Sequence, residues 1–186
     1  MSFATSPTVV RRLSLGLLCV LPLTGATLER LSFDDMVEKS TAIVRGRIGT
    51  TSSAFRGGLI YTHYQVEILE RWKGPQRAAV EVMVPGGTVG SVHQSYSGAP
   101  QLESGQEYVL FLWTGKSGTT QVIGFTQGLF QLSKAAGEDW VAHRPAAAET
   151  MLEPGTGRVV RDEPVRMRLQ ELSRRISRTM QRSGNE

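Results

Sequence analysis

The alternation of apolar and polar positions is most regular in the stretch 59–75, which we take as the centre of the fold. One set of alternate positions holds Ile60, Thr62, Tyr64, Val66 and Ile68, while the positions between them are mostly polar. A period of two in a segment rich in β-branched and aromatic residues is typical of a half-buried β-strand. The Lys-Gly-Pro sequence at 73–75 predicts its end, because proline has no N–H to donate and glycine favours a turn.

Shorter segments of the same kind predict more strands. They lie at 42–49, 79–84, 106–113, 121–125, 129–133 and 140–143. Gly46 within the first of them predicts a bend or bulge. The segment 106–113 is apolar on both faces, so we expect a central strand that is covered on both sides. Residues 145–163, which are rich in Ala, Pro and Gly, are interpreted as a linker.

Two segments have the features of helices. Ser32 followed three residues later by Asp35 predicts a capping box and a short helix in which Phe33, Met36 and Val37 share a face. Near the C-terminus, apolar residues recur every three or four positions, which predicts an amphipathic helix over 164–182. The chain is therefore expected to be mainly β, with one helix before the strands and one after them.

The first 26 residues have the pattern of a secretory signal peptide. Arg11 and Arg12 precede an apolar run at 13–23, and small residues up to Ala26 provide a cleavage point. The apolar run is shorter than the 18–20 or so residues that a membrane-spanning helix needs. We therefore expect export, with the processed protein in the periplasm or outside the cell. Cys19, the single cysteine, falls inside the apolar run, so the processed chain would have no thiol or disulfide.

The segment 85–105 is the predicted binding loop. It is long, and long loops in small domains often carry function. Glycines there would let backbone N–H groups approach a ligand, and a serine, a titratable ring, an amide and an aromatic hydroxyl lie on the same segment. The candidate ligand-binding residues are Gly86, Gly87, Gly90, Ser91, His93, Gln94 and Tyr96. The alternative interpretation is a connection whose glycines only make turns and whose Tyr96 caps the core.

Motifs for catalysis and cofactor binding are absent from the sequence. Ser91 and His93 are two apart on a loop without an aspartate to orient the histidine, and there is no Gly-x-Ser-x-Gly motif. The glycines at 86–90 lack the lysine and spacing of a phosphate-binding loop. His63, His93 and His143 have no metal-like spacing. We therefore predict no cofactor and no metal, and the alternative to a binding protein is an exported hydrolase with its site on 85–105.

The C-terminal segment carries the most uneven charge, within a chain of formal net charge +4. Eight arginines and three acids lie between Arg158 and Arg182. A basic amphipathic helix can contact an anionic membrane surface, and the candidate residues for such contact are Arg174, Arg175, Arg178 and Arg182. The alternative is a helix that docks its apolar stripe on the domain and solvates its arginines. No aromatic residue is interleaved for base stacking, so the pattern does not favour nucleic acid.

With these elements placed, residues 33–133 resemble the netrin-like domains. The resemblance is carried by the segments 40–48, 64–74 and 105–112, the last ending in Val-Leu-Phe-Leu. It extends to uncharacterised exported bacterial proteins with the same Lys-Gly-Pro phrase. The resemblance implies a small antiparallel barrel of OB type, here over 27–144. Inhibitors in that family bind a protease zinc through an N-terminal cysteine, which the processed chain would lack. The expected function is therefore non-enzymatic binding of a protein or envelope ligand, or association with the envelope.

Overall fold

The computed structural model describes residues 27–134 and 139–184, and the predicted signal peptide lies outside them. In chain order the elements are β1 (Thr27–Glu29), α1 (Phe33–Lys39), β2 (Ala42–Arg56), β3 (Leu59–Lys73), β4 (Ala79–Pro85), β5 (Gly87–Val89), β6 (Val92–Gln94), β7 (Glu107–Thr114), β8 (Thr120–Val122), β9 (Leu129–Lys134), β10 (Trp140–Arg144), β11 (Thr150–Leu152), β12 (Val159–Val160), β13 (Val165–Arg168) and α2 (Leu169–Ser183). The predicted mainly β fold with two helices is confirmed.

The main sheet is antiparallel, in the order β13-β10-β9-β7-β2-β3-β4, with β8 paired to the end of β7. The edge strand β4 lies beside β8, but no backbone pairing joins them in the described part of the chain. This sheet is therefore not a closed barrel. A second sheet joins β1, β11 and β12, with β1 parallel to β11. The hairpin of β5 and β6 is separate.

Two apolar cores lie on opposite faces of the main sheet. Strand β7 contributes to both: Val109 and Phe111 face the core under the two helices, while Leu110 and Leu112 face the core enclosed by the curved part of the sheet. All four are completely buried. The prediction that 106–113 forms a strand covered on both sides is confirmed, and the reason is the apolar character of both of its faces.

Strand β2 continues to Arg56, well past the predicted end at residue 49, and forms a long hairpin with β3. The polar residues at 50–53 resemble a loop in the sequence, but pairing with β3 satisfies their backbone. Gly57 and Gly58 make the two-residue turn, both with positive φ, as that hairpin type requires. The predicted irregularity at Gly46 is confirmed by a register shift there, and a Cβ at this position would collide with a methyl carbon of Val66.

The first helix forms as predicted. The Ser32 hydroxyl accepts from the backbone N–H of Asp35 at 3.0 Å, and the Asp35 carboxylate accepts from the Ser32 N–H at 3.2 Å. The hydrogen bond from Ser32, followed by Lys39, holds the pKa of Asp35 below its usual value. Met36 and Val37 are buried against the core under the helices.

Two predictions near the C-terminus need correction. The second helix begins at Leu169 and not at 164, because residues 165–168 form β13 and pair with β10. The segment 145–163 contains β11 and β12, whereas a linker was expected. Arg144 explains part of this order: its guanidinium donates to the Asp162 carboxylate and to the Glu163 carbonyl, the latter at 3.1 Å. None of the helices in the described ranges is both long and apolar enough to cross a membrane.

Candidate functional site

Helix α2 is fixed to the domain through its apolar stripe. Leu172 and Ile176 are completely buried in the core under the helices. Two polar contacts fix the rotation of the helix about its axis. The Trp72 indole N–H donates to the Ser173 hydroxyl at 2.8 Å, and the Thr179 hydroxyl donates to the Asp34 carboxylate at 2.7 Å. The docking of this stripe, which was one of the two sequence interpretations, is therefore what the structure has. The opposite face is left to solvent.

Five arginines line one shallow groove of about 550 Å³ on the solvent side of α2. We call it the cationic groove, and its arginines are Arg168, Arg174, Arg175, Arg178 and Arg182. Four of them were predicted as anion contacts, and the structure brings all four together. Arg168 was not among the predicted contacts. It is the last residue of β13, directly before α2, so its place in the groove depends on the strand–helix junction and not on helical spacing.

The charges of the cationic groove are mostly uncompensated within the described ranges. Only Arg168 has a carboxylate within 4 Å, that of Asp139 at 3.8 Å, and both of these side chains are largely exposed. Arg175 instead stacks its guanidinium over the Phe33 ring, 4.1 Å from the ring centroid. Glu171 and Asp34 also line the groove, but Asp34 already accepts from Thr179. The surface therefore has an excess of positive charge.

This arrangement is suited to binding anions. Guanidinium groups are always charged and donate in a planar fork that fits phosphate and carboxylate oxygens. Several of them on one open face favour a ligand that presents many anions, because each contact is weak in water. In the described part of the chain no three His, Cys, Asp or Glu side chains are grouped as a metal site.

The segment 85–105, expected to lack regular structure, contains the β5–β6 hairpin. Gly86 and Gly87 serve contacts within the chain. The Gly86 N–H donates to the Ile60 carbonyl at 2.8 Å, and its own carbonyl accepts from the Thr62 hydroxyl at 2.8 Å. A Cβ on Gly87 would lie 2.5 Å from that hydroxyl oxygen and 2.6 Å from that of Ser53. These two glycines are needed where the hairpin crosses β2 and β3.

The other predicted residues of this segment have different environments. Gly90, with a φ of 58°, and Ser91 form the exposed two-residue turn of the hairpin. Gln94 is structural: its amide oxygen accepts from the Ile60 N–H at 2.7 Å, and its amide nitrogen donates to the Gly58 carbonyl at 3.4 Å. Five of the seven predicted residues line one groove of about 340 Å³ beside the hairpin: Gly86, Gly87, His93, Gln94 and Tyr96.

His93 contacts a hydroxyl, but it is that of Thr88 and not that of Ser91. Its Nδ1 lies 3.0 Å from the Thr88 hydroxyl, its cross-strand neighbour. Among the described residues no hydrogen bond joins His93 to Ser91 or to a carboxylate. Tyr96 is 38% exposed. Elsewhere, His63 approaches Glu81 with Nδ1 at 3.2 Å from the carboxylate, on the surface between β3 and β4.

Glu103, which lines this groove, is held by a core residue. The Tyr108 hydroxyl accepts from the Glu103 N–H at 3.1 Å, and Leu102 is buried in the core inside the curved sheet. Burial raises the pKa of both Tyr64 and Tyr108 above the usual value, so neither is an acid near neutral pH. The segment therefore covers one end of that core.

Comparison with known proteins does not assign the chain. No family model, no curated protein sequence and no solved structure matches it.

Proposed function

We propose that this protein is an exported, non-enzymatic binding protein that associates with an anionic envelope surface through the cationic groove. The observation that carries the proposal is the convergence of five arginines, four on α2 and Arg168 at the end of β13 just before it, on one groove beside a helix whose apolar stripe is already buried. The export part rests on the pattern of residues 1–26. Among anionic partners we favour phospholipid headgroups, because a surface with many phosphates matches a row of cations better than one small ion does.

The contact that we propose is electrostatic and peripheral. Leu172 and Ile176 pack into the protein and are not available to enter the lipid. Membrane attachment would then depend on the arginines alone, each worth about 1 kcal/mol near an anionic surface. Such binding is strong only at low salt, since the Debye length falls from about 10 Å at 0.1 M to about 3 Å at 1 M.

As part of the proposal, the curved region formed by β2, β3, β4, β7 and β8 is a variant of an OB-type barrel left open between β4 and β8. Support comes from the lateral approach of β8 to β4 and from the bulges in β2, which let a strand turn between halves of a barrel. The netrin-like resemblance remains a hypothesis on the same footing. A solved structure in which β4 and β8 diverge would contradict it.

The test is co-sedimentation of the exported and processed protein with phosphatidylglycerol-containing vesicles and with purely zwitterionic vesicles. The triple variant R174Q/R178Q/R182Q removes three groove charges and leaves the Arg175–Phe33 stacking intact. The matched control R30Q/K116Q/R161Q removes three exposed charges elsewhere. We expect the groove variant to lose about 3 kcal/mol, roughly a hundredfold in partitioning, and the control to lose much less. Equal losses in both would mean that net charge, not the groove, binds.

The hydrolase alternative rests on Ser91 and His93 alone. The contact of His93 with Thr88 does not favour it. Turnover of an ester or peptide substrate that is abolished by His93→Ala, while the fold is retained, would reverse the assignment.

A further inference from the structure

A second cavity lies at the opposite end of the curved sheet from the 85–105 segment. It has a volume of about 360 Å³, and we call it the end pocket. It is lined by the beginnings of β2, β4 and β8 and the ends of β3 and β7, so five strands meet around one opening. Ligand sites in small β-folds commonly occupy such mouths, at volumes of about 300–1,000 Å³.

The floor of the end pocket is apolar and continuous with the core. Val44 and Leu112 are buried core residues, and Ala42, Ile68 and Val80 are half-buried beside them. At the other end of the same core Leu102 and Tyr108 close the interior. Val80 and Ile68, by contrast, line the end pocket and are only half-buried. The uncovered end can therefore accept an apolar chain that continues the core outward.

The rim of the end pocket is held in place by hydrogen bonds between threonine side chains and the backbone of neighbouring strands. Thr41 accepts from the Thr114 backbone N–H at 2.9 Å, and the hydroxyls of Thr114 and Thr120 lie 2.9 Å apart. These threonines hold the ends of β2, β7 and β8 together. Because these threonines satisfy one another's hydrogen bonds, they need few hydrogen bonds from a ligand. The opening between them is therefore preformed.

One charge stands at the rim. Arg77 lines the end pocket, is exposed, and has no carboxylate within 4 Å among the described residues. A single guanidinium fork next to an apolar floor is complementary to one carboxylate on an apolar chain. A polyphosphate or a bare anion would leave the apolar floor empty. The size, the floor and the lone cation together define the ligand.

We propose that the end pocket binds a medium-chain carboxylate, with the alkyl chain on the apolar floor of Val44, Ile68 and Leu112 and the carboxylate paired with Arg77. This site is separate from the cationic groove and independent of the function proposed for it.

The test is isothermal titration calorimetry of the full chain with decanoate, decanol and decyltrimethylammonium, below their aggregation limits. We expect saturable binding of one decanoate, weaker binding of decanol, and the weakest binding of the cation. Arg77→Gln should weaken decanoate binding about tenfold and leave decanol binding unchanged. Lys116→Gln, which removes an exposed charge in the adjacent turn without lining the pocket, is the control.

Val80→Trp, which fills the pocket from its floor, should abolish binding of both decanoate and decanol, with circular dichroism verifying the fold. If that variant unfolds, Thr120→Trp fills the opening from the other side. Three results would overturn the proposal: no saturable decanoate binding, decanoate binding unaffected by Arg77→Gln, or full binding by a folded pocket-filled variant. Loss of decanoate binding in R174Q/R178Q/R182Q would also overturn it, since the ligand would then occupy the cationic groove.

Discussion

Asp162 and Arg144 form an ion pair in which both side chains are at least nine-tenths buried. The Asp162 carboxylate also accepts from the Ala147 backbone N–H at 2.8 Å. Burial by itself raises the pKa of Asp162, but hydrogen bonds from Arg144 and Ala147 outweigh burial and hold that pKa below its usual value. The pair therefore ties the excursion between β10 and β13 to the main sheet.

Asp162→Asn should lower the free energy of unfolding by about 3 kcal/mol at neutral pH, because it leaves the Arg144 charge buried without its counterion. The pKa of Asp162 is lower in the folded state, so its contribution is present above the usual aspartate pKa and is lost as pH falls through the folded pKa. Urea unfolding from pH 7 to pH 3 measures both effects. The variant should lose stability less steeply with acid than the parent does.

Glu153→Gln is the matched control, since the Glu153–Arg158 pair is exposed and exposed ion pairs contribute little to stability. An Asp162→Asn protein as stable as the Glu153→Gln protein would show that the buried pair does not hold the excursion in place.

At Gly87 the backbone has a φ of 137° and two hydroxyl oxygens lie where a Cβ would be. Gly87→Ala should therefore destabilise the protein by several kcal/mol, from strain and from displacement of Thr62 and Ser53. Gly90→Ala is the control, because Gly90 also has a positive φ but open space around it, and it should cost about 1–2 kcal/mol. Thermal unfolding of the two variants decides it, and equal melting temperatures would contradict the close approach.

At the scale of elements, α2 is a helix held by packing. Leu172→Ala should cost about 2–5 kcal/mol, because the side chain is completely buried beneath α2. Arg178→Ala, one turn and a half further along on the solvent side, should leave stability within about 0.5 kcal/mol. Denaturant titration of both variants tests the assignment of faces. A reversal of the two effects would mean that the arginine face packs against the domain.

Sequence reasoning predicted those elements whose cause is local. The Ser32–Asp35 capping box, the alternation in β3 and the apolar faces of β7 each act through neighbouring residues, and the structure has all three. The sequence predictions were wrong where pairing with a strand distant in the sequence determines the secondary structure. Residues 165–168 have helical spacing, but they pair with the edge of β10 and form strand β13. Residues 50–53 have a loop-like composition, but β3 pairs with them.

The same distinction between local and distant causes applies to the candidate site. The arginines at helical spacing were predictable, because 3.6 residues per turn places them on one side. The role of Gly86, Gly87 and Gln94 in crossing β2 and β3 depends on contacts with Ile60 and Thr62, about 30 residues earlier in the chain. The end pocket gathers the ends of five strands, so no short segment of sequence carries its pattern.

At the scale of the molecule, one sheet separates two cores with different coverings. The two helices cover one face of the sheet, and the cationic groove lies on their solvent side. The other face curves around a core that is covered at one end and open at the other, where the end pocket lies. On the first face Glu107 forms ion pairs with Arg45, which is mostly buried, and with Arg47, which is half exposed. Burial raises the pKa of Glu107, but hydrogen bonds from Arg47 and Arg45 outweigh it and hold that pKa below its usual value. The groove and the pocket are thus carried by opposite faces of one sheet.

Binding of an anionic surface by the cationic groove is tested by the salt dependence of vesicle partitioning. Partitioning of the processed protein onto phosphatidylglycerol-containing vesicles should fall steeply between 0.05 and 0.5 M NaCl, because screening weakens each arginine contact. R174Q/R178Q/R182Q should show weak partitioning with a shallow salt dependence, and R30Q/K116Q/R161Q should follow the parent. Partitioning that is insensitive to salt, or a groove variant that matches the parent at every salt concentration, would contradict the account.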